Sequence, residues 1–267
     1  MRRRMDRNEG LLVGTIVEWG ATDEGQPLSM NVLRASTNVS RKAPVVLHVH
    51  GGGWAGGSHL NLPPSWMRES DAGFVIASVE YQLAPKLTDL DTIVQILEAW
   101  SWLEGVGAKK LGIDPTKIWL AGESTGGFYA LIAAGWSRKT PRGIVAYSAP
   151  TDLSTMMDFP PNVAPAVDWS AEGSGLRLWT GEPLGETNPQ LSPTYHADCF
   201  ECPIFLAHAE DDPIVSSRQF ERMVNALDWN VNVDLEQHLV AGVAHGWRLG
   251  DMVDTNRCDF MRKITPP

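Results

Sequence analysis

Cysteine is scarce here: three residues in 267, an odd number. That argues against the paired framework of a small disulfide-stapled secreted domain. Cys199 and Cys202 form a CxxC, but no second CxxC follows and Pro203 opens an apolar run. The pair therefore reads as buried or half-buried thiols rather than as redox or zinc ligands. Basic charge is also short, because 22 Lys and Arg face 32 Asp and Glu for a net charge of -10. Such a balance argues against a nucleic-acid partner and against docking on an anionic membrane. No apolar run approaches the roughly 20 residues that span a bilayer, and repeats and low-complexity segments are absent from the sequence. Met1-Arg2-Arg3-Arg4 has the charge of a secretory signal. Asp6, Arg7, Asn8 and Glu9 follow where the apolar stretch should stand, so the expectation is a solvated tail on a cytoplasmic protein.

What is present is ordinary for a globular chain, with 43% hydrophobic and 20% charged residues. The length suits one large domain with a substantial core. Strand-like segments run over 13–19 and 28–35, then, after Pro44, over Val45 to His50, and over Phe74 to Val79. Thr88 and Asp91 have capping-box-like spacing. Leu90, Ile93, Val94, Leu97, Trp100 and Leu103 then recur at helical period until Gly105 and Gly107. Strands are expected at 118–121, 143–147, 204–208 and 231–237, with helices at 124–137 and 216–227 and a last one after Gly246. Alternating helices and near-continuous apolar strands predict an α/β fold with a mostly parallel sheet covered on both faces. Residues 151–197, rich in Pro, Gly and Ser, are expected to form a short irregular cap on a single domain of residues 1–267.

Gly122-Glu123-Ser124-Thr125-Gly126-Gly127 fits G-x-S-x-G between a strand and a helix. A turn that tight needs small flanking residues. It lifts the Ser124 hydroxyl clear of the sheet at a helix N-terminus, as a nucleophile requires. Earlier, His50-Gly51-Gly52-Gly53-Trp54 ends a strand with a glycine run whose main chain can approach a ligand closely. The amides of Gly51, Gly52 and Thr125 are the candidate donors for an oxyanion. His48 and His50 invite a metal reading, but glycines follow where an Asp and another His would stand. No G-K-[ST] supports a phosphate loop. No metal or cofactor is expected.

A serine on such a turn needs a base and, behind it, a carboxylate, and along the chain the acid precedes the histidine. His245 lies in Gly242-Val243-Ala244-His245-Gly246, between the last strand and the last helix. His208 sits inside an apolar strand and reads as a core histidine. Glu210, Asp211 and Asp212 follow that strand. Asp212, directly before Pro213, is the choice and Asp211 its rival. Trp54, Trp169 and Trp179 are candidates for lining an apolar pocket, with packing the alternative.

Together these segments resemble the hormone-sensitive-lipase-like esterases. The resemblance rests on His50-Gly51-Gly52-Gly53-Trp54, Tyr81-Gln82-Leu83-Ala84-Pro85, Gly112-Ile113-Asp114-Pro115, the Ser124 motif, Ala149-Pro150, Ser192-Pro193, Asp212-Pro213 and His245-Gly246, over about residues 44–250. It implies an α/β-hydrolase sheet, no cofactor, and short- to medium-chain ester substrates cleaved through an acyl-enzyme. The same machinery also serves lactone or amide hydrolysis, acyl transfer or elimination, which is the alternative. Thr125 stands where Ala is usual, and only 49 residues precede the HGGG segment, without the helical N-terminal cap that relatives often carry. A homodimer is one way of covering a site that a short cap leaves open.

Overall fold

The computed structural model describes residues 4–5, 12–35, 42–137, 139–243, 245–246 and 249–266. The expected tail at Asp6 to Glu9 lies outside them. Ten strands and seven α-helices are placed among the described residues. The strands are β1 (Arg4–Met5), β2 (Leu12–Val13), β3 (Thr15–Ala21), β4 (Pro27–Leu33), β5 (Ala43–Val49), β6 (Val75–Val79), β7 (Ile113–Glu123), β8 (Gly143–Tyr147), β9 (Ile204–Ala209) and β10 (Leu235–Val240). The helices are α1 (Met67–Asp71), α2 (Asp89–Glu104), α3 (Val106–Leu111), α4 (Thr125–Trp136), α5 (Gly175–Thr180), α6 (Ser217–Leu227) and α7 (Asp251–Ile264).

Eight strands form one sheet in the order β10-β9-β8-β7-β5-β6-β4-β3. Neighbours from β10 to β6 pair in parallel, and β4 and β3 are added antiparallel at one edge. The expected mostly parallel sheet is therefore present. Its apolar strands feed two separate cores because successive side chains point to opposite faces. On one face Val45, Leu47, Ile118, Leu120, Ile144 and Leu206 pack beneath α2, α4 and α6. On the other Val46, Trp119, Val145 and Phe205 meet Trp66, Val253 and Phe260. Helix α4 is apolar all round and buried from Thr125 to Ala134, as a helix sandwiched between sheet and overlying chain should be.

Several boundaries depart from expectation. Thr88 is extended but its side chain does not cap α2, so the capping box is not formed. Gly105 does end α2, whereas Gly107 lies within α3, where a Cβ would fall 2.5 Å from the Trp102 ring. The strand expected at 118–121 starts earlier, because Ala43 pairs with Ile113 before a register shift. The strand expected at 231–237 is instead β10, at 235–240. Residues 230–233 turn first, with the Asn232 amide on the Asn230 side chain and the Val233 amide on the Asn230 carbonyl. Residues 151–197, expected to be irregular, are less so. They hold α5 and 3-10 turns at Leu153–Thr155, Pro189–Leu191 and Pro193–Cys199.

The second core contains a closed ionic cluster. Glu69 grips Arg257 through two contacts, Oε1 to Nε at 2.7 Å and Oε2 to Nη2 at 2.9 Å. Asp254 takes Nη1 at 2.9 Å, the Ser65 carbonyl accepts from Nη2, and the guanidinium lies 4.1 Å over the Trp66 ring. Both Glu69 and Arg257 are buried. Removing one partner strands a charge in a low-dielectric interior. Glu69→Ala is therefore expected to lower unfolding free energy by about 3–5 kcal/mol, read from urea denaturation. A change below about 1 kcal/mol would show that the cluster does not secure α7.

Candidate functional site

In a parallel sheet the loops after neighbouring strands gather at one edge, where ligands bind in open α/β folds. Here Gly51 follows β5, Ser124 follows β7, Asp212 follows β9 and His245 follows β10. The strand order brings these loops side by side.

Ser124 has φ 56° and ψ −127°, a strained conformation for a residue with a side chain. Its neighbours impose it. The Ser124 amide donates to the Tyr147 carbonyl at the end of β8 (2.7 Å), while its carbonyl accepts from Phe128 in the first turn of α4. A Cβ on Gly126 would lie 1.9 Å from the Val49 carbonyl oxygen, and one on Gly122 would lie 2.3 Å from the Gly126 carbonyl carbon. Strand and helix cross too closely for anything larger than glycine. Ser124 is half-buried between buried neighbours.

The glycine segment folds against this turn. A Cβ on Gly51 would come 3.2 Å from the Ser124 Cβ, so the loop passes directly beside the serine. Gly52, Gly53 and Trp54 all have positive φ. His50 holds the loop from behind: its Nδ1 bonds the Gly51 carbonyl (2.8 Å), its ring stacks on Tyr81, and the Tyr81 hydroxyl donates to the His50 carbonyl. His48 is used differently, with Nε2 on Glu123 (2.9 Å) and Nδ1 on the Ser78 hydroxyl (3.1 Å). Glu123, directly before Ser124, is thus anchored in the sheet. The two histidines do not converge, and among the described residues no three acidic, His or Cys side chains are grouped to hold a metal ion.

Asp212 Oδ2 meets His245 Nδ1 at 2.6 Å. Asp212 Oδ1 accepts from the amides of Ile214 (2.9 Å) and Val215 (3.1 Å). Burial alone would raise this carboxyl. The bond and charge of His245, with smaller help from His208 and Ile214, outweigh burial and hold it below the usual carboxylate range. Glu210 and Asp211 are exposed, and Asp211 accepts from Asn162 instead. The His245 loop is tied back where the Gly246 amide donates to the Ser148 hydroxyl (3.1 Å). Ala244 of that motif lies outside the described residues.

His208, read from sequence as a core histidine, is buried but also touches the site. Its Nε2 bonds the Val215 carbonyl (2.9 Å) and lies 3.5 Å from Asp212 Oδ2. Only an apolar strand surrounded it in the sequence, so nothing there pointed to the contact. Trp54, Trp169 and Trp179 are all buried in the first core. Trp54 packs on Trp169 (5.6 Å), Trp179 (6.0 Å) and Phe128 (5.6 Å between ring centroids). These contacts are those of the packing alternative, with the three rings set against one another and Phe128. Trp169 also lies against the glycine loop, 3.1 Å from where a Gly53 Cβ would stand.

Burial pushes His50 and His208 each down to about 4. Unfolding restores a value near 6.5, so between about pH 6.5 and 4 the unfolded chain binds more protons than the folded one. Stability contributed by the two neutral rings is full above about 6.5 and falls with pH, by about 1.4 kcal/mol per pH unit for each ring. Urea midpoints should drop between pH 7 and pH 5; equal midpoints would contradict neutral burial.

Sheet order, strained serine turn and glycine loop together define the class, an α/β hydrolase. The chain belongs to the family described as alpha/beta hydrolase fold, whose profile matches residues 46–249. It is 29% identical over 214 residues to the carboxylesterase NlhH of Mycobacterium tuberculosis, covering 74% of this chain and 66% of that protein. It thus spans just under two thirds of that relative's length. Ethyl acetate hydrolase of Pseudomonas putida is 26% identical over 285 residues, covering 95% of this chain and 84% of the relative. Bovine hormone-sensitive lipase is 29% identical over 148 residues, covering 49% of this chain and 19% of the lipase. Among solved structures, carboxyl esterase 2 of Tuber melanosporum superposes with a TM-score of 0.76 at 22% identity, covering 97% of this chain and 87% of the other. These comparisons bear out the resemblance to hormone-sensitive-lipase-like esterases. No helix among the described residues is long and apolar enough to cross a membrane.

Proposed function

We propose that this protein is a serine hydrolase that cleaves small-molecule carboxylic esters through an acyl-enzyme. The observation that carries the reading is the 2.6 Å bond from buried Asp212 to His245, which a solvated acidic loop would not make. Membership of the family and the names of its relatives support the reaction class.

In this mechanism Asp212 fixes the imidazole with its proton on Nδ1, leaving Nε2 as the base. His245 takes the Ser124 hydroxyl proton as Oγ attacks the ester carbonyl. The amides of Gly51, Gly52 and Thr125 stabilise the oxyanion. Collapse expels the alcohol, which receives that proton, and leaves the acyl group on Ser124. Water, deprotonated by the same imidazole, then releases the acid. Residues 151–197 act as the cap over this site on the single domain. Support for the cap lies in the contact of Gly175, at the start of α5, with the Gly53 carbonyl.

The test is a panel of p-nitrophenyl acetate and butyrate beside matched lactones, amides and thioesters, together with labelling by a fluorophosphonate. Ester turnover and a label on the Ser124 peptide are expected. No labelling and no ester turnover would end the proposal, and preference for another acyl donor would redirect it.

A further inference from the structure

The residue after the serine carries a side chain that ester chemistry does not require. Thr125 is fully buried, and its Oγ1 accepts the Gly53 amide proton at 2.7 Å, across 72 residues of sequence. From the other side, the Gly53 carbonyl is crowded by Gly175, where a Cβ would fall 1.7 Å away. The next residue is also held, as the Trp54 carbonyl accepts from Ala84 (3.0 Å). Trp54 has positive φ, a strained conformation for a residue with a side chain, so this stretch depends on outside contacts to keep its shape.

We propose that the Thr125 hydroxyl is a positioning residue: it locks the glycine loop to the N-terminus of α4 and so sets the aim of the Gly51 and Gly52 amides at the carbonyl attacked by Ser124. This deepens the proposed ester hydrolysis and rests on it. The lock joins the two halves of the oxyanion hole, the glycine loop and the amide of Thr125 itself, through one side chain. Donors aimed in advance cost no reorganisation when charge develops. A small loss of aim is felt mainly in the transition state, because the ground-state carbonyl carries little charge. The lock also spends the Gly53 amide, which leaves Gly51 and Gly52 as the donors of the loop.

Thr125→Val keeps the branched shape and removes the acceptor, while Thr125→Ser keeps the acceptor and removes a methyl. With p-nitrophenyl butyrate, Thr125→Val is expected to lose about 10- to 100-fold in kcat with KM within about twofold. Affinity for a trifluoromethyl ketone, which forms an oxyanion on Ser124, should fall by the same factor. Thr125→Ser should restore both. Wild-type kcat in Thr125→Val, or a higher kcat from a freed Gly53 amide, would overturn the lock. So would a loss in Thr125→Ser as deep as that in Thr125→Val, which would show that packing rather than the hydroxyl matters. Thr125→Ala, with thermal midpoints for all variants, keeps the test readable if the valine fails to fold. Ser124→Ala in the same assay separates the two levels: if it stays active, the Ser124 acyl-enzyme reading on which the lock rests itself fails.

Discussion

Ser124→Ala is expected to reduce p-nitrophenyl butyrate turnover by about five to six orders of magnitude, to what binding and the oxyanion donors alone supply. The argument is geometric before it is chemical. A side chain at φ 56° is costly, and glycines are required at 122 and 126 because β5, β7 and α4 cross at this point. The strain has no packing benefit, since Ser124 is only half-buried between buried neighbours. It makes sense if the hydroxyl must stand clear of the sheet edge. Because the strain lies in the backbone, Ser124→Ala should keep the fold and leave substrate binding almost unchanged. Unaltered turnover would remove Ser124 from the mechanism.

Asp212→Asn is expected to cost about four orders of magnitude in kcat, again without unfolding. Asp212 Oδ1 is already committed to the amides of Ile214 and Val215, so Oδ2 alone faces His245. An asparagine that keeps its oxygen on those amides must turn its NH2 toward Nδ1. The imidazole then carries its proton on Nε2, facing the serine, and cannot accept another. The loss should shrink as pH rises, where hydroxide replaces the blocked base. A variant that retains more than about a tenth of wild-type kcat would show that Asp212 supports the loop and does not orient the base.

The sheet was largely legible from the chain because period and composition agree. Gly143 to Tyr147 was read at both ends because it is short, apolar and bounded by turn residues. β10 was misplaced because Val231 and Val233 alternate like a strand, while the Asn230 side chain turns the chain and bonds the Ala197 and Phe200 carbonyls. The site was legible where chemistry is written locally, in HGGGW, GESTGG and the loop holding His245. The place directly before Pro213 favours Asp212 over Asp211 in the sequence, and the packed loop separates the two by burial. The contacts of Thr125 with Gly53 and of His208 with Asp212 depend on how loops meet in space, and residue spacing carries no trace of them.

The overlap of residues 151–197 with the core bears on how such a protein can change. Trp169, Leu176 and Trp179 come from residues 151–197, yet they pack in the same cluster as Trp54 and Phe128 beneath the glycine loop. A lineage exploring new substrates through this region would be editing its own foundations. Variants that widen access should arrive with lower melting temperatures, and compensating changes in α4 should travel with them.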